Sequence, residues 1–327
     1  MKEDEKRICV TGAGGFVASW VVNFLLSRGY LVHGTVRNPC NSDEKISHLK
    51  GLKNAEENLR LFKADLLDYD ALRAAITGCS GVLHVACPVP SKKVPNPEVE
   101  LIEPALTGTR NVLNACLKEN VKKVVVVSSI GAVVIDPSWP RDQPMDESCW
   151  TDLEFCKSIE EWYCAAKTMA ETEAWEYAKR TGLKITMICP SIVIGPMLQQ
   201  TVNASSLYLL NFLKGLEPAD NGLRPFVDVR DLAEAILLLY EKQDAEGRYI
   251  CSSHEIRTQD LVEMLKSMFP SYRYPNSYRE ASTEVRLCSE KLQRLGWKYR
   301  PFEEIIADSV HNYEEAGLIP RDRKIPD

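Results

Sequence analysis

The chain has eleven cysteines but no Cys-x-x-Cys pair, and its five histidines are dispersed. No Cys/His cluster has ligand spacing, so no metal site is expected. No apolar run approaches the length needed to cross a bilayer, and residues 1–7 are a mixed-charge run rather than a basic start followed by an apolar stretch. Cationic excess is absent too: 40 Lys and Arg stand against 46 Asp and Glu, a net charge of -6. Neither nucleic acid nor a membrane surface is therefore an expected partner. The expectation is a soluble, cytoplasmic protein with reduced thiols that handles a small aromatic molecule, and a monomer or weak homo-oligomer is expected. Cys149 and Cys156, seven apart, are the pair considered for a redox-sensitive disulfide. Low-complexity sequence is absent as well, and 327 residues at 45% apolar suffice for one large α/β domain plus a smaller lobe.

What is present begins with a β-rich run at residues 7–11, then Gly12-Ala13-Gly14-Gly15, then helical periodicity over residues 16–28 stopping at Gly29. A second strand follows at residues 31–36. Strand, glycine turn, helix and strand make a βαβ unit whose turn lets backbone approach a pyrophosphate at a helix N-terminus. Thr11, Gly12, Gly14, Gly15, Phe16 and Val17 are the expected phosphate-side contacts, with Ala18 third in the repeat begun by Gly12 and Gly15. The second strand ends in Thr35-Val36-Arg37-Asn38-Pro39, with no acid to accept from a ribose 2'-hydroxyl. Arg37, helped by Lys45, suits a 2'-phosphate instead, which predicts NADPH/NADP as cofactor.

Further buried strands are expected at residues 60–63, 81–86, 121–129, 183–188 and 247–252, with helical or polar sequence between them. This alternation predicts a doubly wound parallel sheet of Rossmann type with a smaller, mostly helical substrate lobe. Residues 1–190 with 221–255 form the expected dinucleotide-binding domain, and 191–220 with 256–327 the substrate domain. Ligands in such sheets sit beyond the carboxyl ends of the strands. That places Asp65, Leu66, Ala86, Cys87, Ser128, Pro190 and Val193 beside the cofactor. An apolar helix is expected at 199–215, and residues 226–230 are expected to return to the sheet. Asp231 with Glu234 would cap the helix that follows.

The chemistry is expected in Trp162-Tyr163-Cys164-Ala165-Ala166-Lys167, within a helix predicted over 159–181 and closed by Gly182. Four-residue spacing puts Tyr163 and Lys167 on one face. An ammonium close to a phenol favours the phenolate and lowers its pKa, so the pair can pass a proton. Tyr163 and Lys167 thus count as catalytic and as cofactor contacts.

Thr11-Gly12-Ala13-Gly14-Gly15-Phe16-Val17, Val127-Ser128-Ser129, Tyr163-x-x-x-Lys167 and Cys189-Pro190, in this order, resemble the extended short-chain dehydrogenase/reductases. Gly34 to Pro39, Lys63 to Asp68, Asp146 to Trp150 and Gly247 to Ser253 look like the plant cinnamoyl-CoA reductase and dihydroflavonol reductase group. The resemblance implies a Ser129, Tyr163, Lys167 site, with Ser128 the less favoured serine and Asn111 a candidate for a water relay or for packing. It also implies a substrate pocket including Tyr208, Phe226 and Arg257. Thioester reductases of the group tend to carry His and Lys where this chain has Tyr208 and Asn211, and they lack the acids Glu160 and Glu161. Those departures favour hydroxycinnamaldehydes, as in the zinc-free cinnamyl alcohol dehydrogenases of the group, with a role in lignin biosynthesis. The alternatives are a coenzyme A thioester, a flavonoid ketone, or a non-catalytic NADP-binding protein.

Overall fold

Residues 6–38, 44–89, 94–140, 142–216, 219–281 and 284–321 are described by a computed structural model. The strands in chain order are β1 (Arg7–Val10), β2 (Leu31–Val36), β3 (Leu59–Lys63), β4 (Gly81–His84), β5 (Lys123–Val127) and β6 (Ile185–Pro190). They continue as β7 (Ile192–Ile194), β8 (Ala219–Asn221), β9 (Leu223–Asp228), β10 (Gly247–Cys251), β11 (His254–Arg257) and β12 (Tyr278–Glu280). Seven of them form one parallel sheet in the order β10-β6-β5-β4-β1-β2-β3. The order reverses at β1 and β4, so their carboxyl ends open the crevice where a doubly wound sheet takes its ligand.

Both faces of the sheet are covered, which is why β5 and β6 read as continuous apolar runs rather than alternating ones. Helices Phe16–Ser27 and Val229–Glu241 pack on one face. Tyr69–Ile76, Glu103–Lys118 and Trp162–Thr181 pack on the other. The first core runs on without a break into the smaller lobe, through Leu209, Phe226, Leu261 and Phe302. Among the described residues no helix is long and apolar enough to cross a membrane.

Three expectations change. Residues 226–230 do not return to the central sheet: β9 pairs with β7 and antiparallel with β11 in a separate three-stranded sheet. Asp231 is not the helix cap, because Asp228 turns extended backbone into the helix and accepts from Arg230 N. Asp231 lies inside the first turn and holds the backbone amide and guanidinium of Arg300. The apolar helix is Ala204–Leu213, shorter at both ends than expected, since Asn203 sits in extended backbone before it.

Candidate active site

The turn after β1 is set by Gly12. Its φ of +67° is left-handed, and a Cβ there would stand 2.9 Å from Ala86 Cβ, so the ends of β1 and β4 meet only because position 12 is glycine. Gly12 N donates to Thr35 Oγ1, Ala13 N to Thr35 O and Gly15 N to Gly12 O. The helix that follows, opening with Phe16 and Val17, has no acid in its first turn and no side chain capping Gly15. That leaves its first amides and the positive end of its dipole for a pyrophosphate. Gly14 lies within the turn, and Arg37 is exposed just beyond β2. The side chain of Lys45 lies outside the described residues.

Thr11 Oγ1 accepts from Val85 N and Ala86 N, so its single proton goes to His84 Nδ1 at 2.9 Å. This fixes His84 as the Nε2-H tautomer. Burial pushes the His84 imidazole down to about 3, and the Lys167 charge adds to the effect, so the ring is neutral. On the far side of the crevice Asp65 is exposed and accepts from Leu67 N. The Leu66 carbonyl takes a hydrogen bond from Asn111 Nδ2 at 2.9 Å, which ties Asn111 to the end of β3.

The helix that carries Tyr163 and Lys167 begins at Trp162, not at residue 159, because Glu160 has a φ of +58° and breaks the turn before it. It ends as expected at Gly182, which is left-handed. Lys167 is buried and donates to Val127 O at 2.9 Å, with Cys87 near enough to raise its pKa. Burial acts to lower its pKa, but Cys87 and Tyr163 leave it raised, so the ammonium is retained. Ser129 caps a short 3-10 turn, Ile130–Ala132; its oxygen accepts from Gly131 N at 3.0 Å, and the hydroxyl lies near enough to the Tyr163 phenol to act on its pKa. The structure thus gathers Ser129, Tyr163, Lys167 and Cys87 at one place.

One expectation reverses here. Lys167 and Ser129 do lower the Tyr163 pKa, but burial acts more strongly and leaves it raised. The phenol is protonated at neutral pH. Ser128 faces away, its hydroxyl 2.6 Å from Glu171 Oε2 and its amide on Ile188 O. Cys149 and Cys156 are separate thiols; Cys156 Sγ is hydrogen-bonded to Glu161 O.

Pro190 and Val193 are buried in β6 and β7, and the intervening Ser191 Oγ is buried without a partner among the described residues. Such an orphan, beside an uncapped helix end and a glycine cradle, fits a dinucleotide. In the smaller lobe Tyr208 is half-buried, its ring 4.9 Å from Phe212 and 6.3 Å from Phe226. Phe226 is core, 1% exposed between Tyr208 and Phe302, and would shape a pocket only through Tyr208. Arg257 is exposed and ion-paired with Glu284. The sequence reading missed Thr11–His84, Glu171 and Arg248. Of these Glu171 carried a signal, standing four residues beyond Lys167 on the same face.

The profile of the NAD dependent epimerase/dehydratase family matches residues 8–251. A cinnamoyl-CoA reductase of Petunia hybrida is 45% identical over 318 residues, covering 96% of this chain and 93% of its own length. Vestitone reductase from alfalfa superposes with a TM-score of 0.83 at 28% identity, over 96% of this chain and 99% of its own. A yeast methylglyoxal/isovaleraldehyde reductase complexed with NADPH gives 0.82 at 26% identity, over 96% and 100%.

Proposed function

The chain belongs to the NAD dependent epimerase/dehydratase family, and from that premise we propose that it reduces a hydroxycinnamoyl-coenzyme A thioester to the aldehyde. It is an NADP-dependent oxidoreductase, in keeping with its family and its NADPH-bound structural neighbour. The observation that carries the chemistry is the partly buried Tyr163, protonated, between Ser129 and the Lys167 ammonium. When bound, NADPH supplies the hydride. Negative charge then develops on the substrate's carbonyl oxygen, where Ser129 donates a hydrogen bond and Tyr163 delivers the proton. Lys167, anchored on Val127 O, holds its charge beside the phenol as the proton leaves. Hydride and proton together give a hemithioacetal, whose collapse breaks the carbon–sulfur bond and passes the hydroxyl proton to the departing thiolate, leaving aldehyde and free thiol. Gly12 and the uncapped turn at Gly15 would hold the pyrophosphate, and Arg37 the 2'-phosphate.

The thioester takes precedence over the aldehyde expected from the sequence because relatives matched along nearly the whole chain are cinnamoyl-CoA reductases. Arg224 adds support: its Nε is buried without a partner among the described residues, and it shares a strand face with Phe226. One observation favours the aldehyde as a second reading. Arg257, the residue matching a coenzyme A-receiving arginine in the group, is already paired with Glu284. NADPH oxidation with feruloyl-CoA and coniferaldehyde at matched concentrations tests the choice. Faster turnover of the thioester is expected; faster turnover of the aldehyde would replace this reading with the second.

A further inference from the structure

Beneath the site lies a buried ion pair that the reaction does not use directly. Glu171 Oε1 takes Arg248 Nε at 2.5 Å, and both residues are almost fully buried. All five guanidinium donors of Arg248 are engaged: two with Glu171, and three with the carbonyls of Glu147, Cys149 and Ala132. Trp150 stacks over the cation at 3.9 Å. Glu171 Oε2 accepts from Ser128 Oγ at 2.6 Å, and Trp175 Nε1 donates to Oε1.

We infer that Glu171, held by Arg248, is a positioning residue that decides which serine faces Tyr163. The inference rests on the proposed reduction. Ser128 and Ser129 follow β5 in extended backbone, so their side chains point to opposite sides. Fastening the Ser128 hydroxyl to Glu171 turns Ser129 toward the phenol. One helical turn earlier on the same face, Lys167 holds Val127 O. A single helix thus grips two successive residues at the end of β5. Arg248 secures the other side, since Ala132, whose carbonyl it holds, ends the turn that Ser129 caps.

Removing one member of a buried pair leaves an unpaired charge and threatens folding, whereas an apolar pair of similar length is often tolerated. The test therefore uses Glu171→Met/Arg248→Met as a double variant, with Ser128→Ala as a milder change that cuts only the serine end. For both, kcat should fall roughly tenfold to a hundredfold, while KM and the Kd for NADPH stay within about threefold. Tyrosinate absorbance, taken as the difference from Tyr163→Phe, should show the Tyr163 titration moving upward as Ser129, which lowers it, turns away from the phenol. If Ser128→Ala keeps wild-type kcat and an unmoved titration, the inference is overturned. Equal losses in kcat and NADPH affinity in a folded double variant would also overturn it, since they indicate general loosening. Should wild-type enzyme reduce no carbonyl compound, the functional reading fails, and the titration still decides the positioning role.

Discussion

Replacing Tyr163 by Phe removes one oxygen and leaves its neighbours in place. The ring packs against the cluster of Leu101, Ile102, Ala105 and Ala166, a contact that phenylalanine retains. Lys167 rests on Val127 O and Ser129 on Gly131 N, so neither needs the phenol to hold its position. The stability cost is one hydrogen bond, about 1 kcal/mol. Over the unfolding entropy of a 327-residue chain that is a Tm decrease of about 1–2 °C. The chemical cost is larger, because loss of a positioned acid lowers kcat by about 10²–10⁴-fold, or about 3–5 kcal/mol of barrier. Fluorescence titration should find the NADPH Kd unchanged within about threefold. Since burial, acting first, leaves the phenol pKa raised, the donating form is fully populated at neutral pH. The wild-type reduction rate should then stay level from about pH 6 to 9 and decline only toward the raised phenol value. A folded Tyr163→Phe enzyme with kcat within tenfold of wild type would refute the reasoning. So would a wild-type rate that already declines with pH below about 8.

Arg37→Ser should raise KM for NADPH roughly ten- to a hundredfold, with kcat little changed, through loss of a charge-assisted contact; steady-state kinetics showing equal losses in both would contradict its assignment to the 2'-phosphate. Arg224→Gln should raise KM for feruloyl-CoA several-fold and leave that for coniferaldehyde unaltered, and parallel changes for the two would remove Arg224 from thioester binding. Asp231 gives a pH-dependent test of stability. Burial first pushes its carboxyl up to about 6, against the opposing pull of Arg300. The folded chain therefore binds this proton more tightly than the unfolded one. The stability it contributes is full below the ordinary value of 3.8 and lost as pH rises through about 6. Across that window the loss is about 1–3 kcal/mol. Wild-type Tm measured against Asp231→Asn should thus compare better at about pH 5 than at about pH 7.5; a constant gap would show that Arg300 holds the carboxyl ionised throughout.

Legibility in the sequence followed the range of the interactions involved. The glycine turn, β2 at Leu31–Val36, the Gly182 cap and the helix Thr258–Met268 were readable because local backbone chemistry specifies each of them. Asp228 and Asp231 stand three apart, and either could open a capping pattern. The choice falls to Asp228 because Arg300, far along the chain, engages Asp231. Residues 226–230 are expected from the sequence to rejoin the central sheet; only the partners of Leu223–Asp228, Ile192–Ile194 and His254–Arg257, assign that strand to a separate sheet. Tyr-x-x-x-Lys reports proximity and says nothing of burial, so the direction of the Tyr163 pKa was not accessible from spacing. Glu171 and Arg248 lie 77 positions apart, and their pairing is a property of the folded sheet.

The two substrate readings divide on charge rather than on shape. Arg257 and Glu284 form their pair at the surface, with side chains 43% and 41% exposed. Such a pair is worth at most about 1 kcal/mol, so a coenzyme A phosphate could displace Glu284 at small cost. The buried, unpartnered Nε of Arg224 acts in the opposite sense. An unsatisfied buried donor costs about 1–3 kcal/mol, which an anionic ligand would relieve and a neutral aldehyde would not. Taken together, the pairing of Arg257 weakens the case for a thioester less than the unpartnered Nε of Arg224 strengthens it. The same balance requires thioester binding to weaken with added salt while aldehyde binding does not, since only the thioester brings the charges that salt can screen.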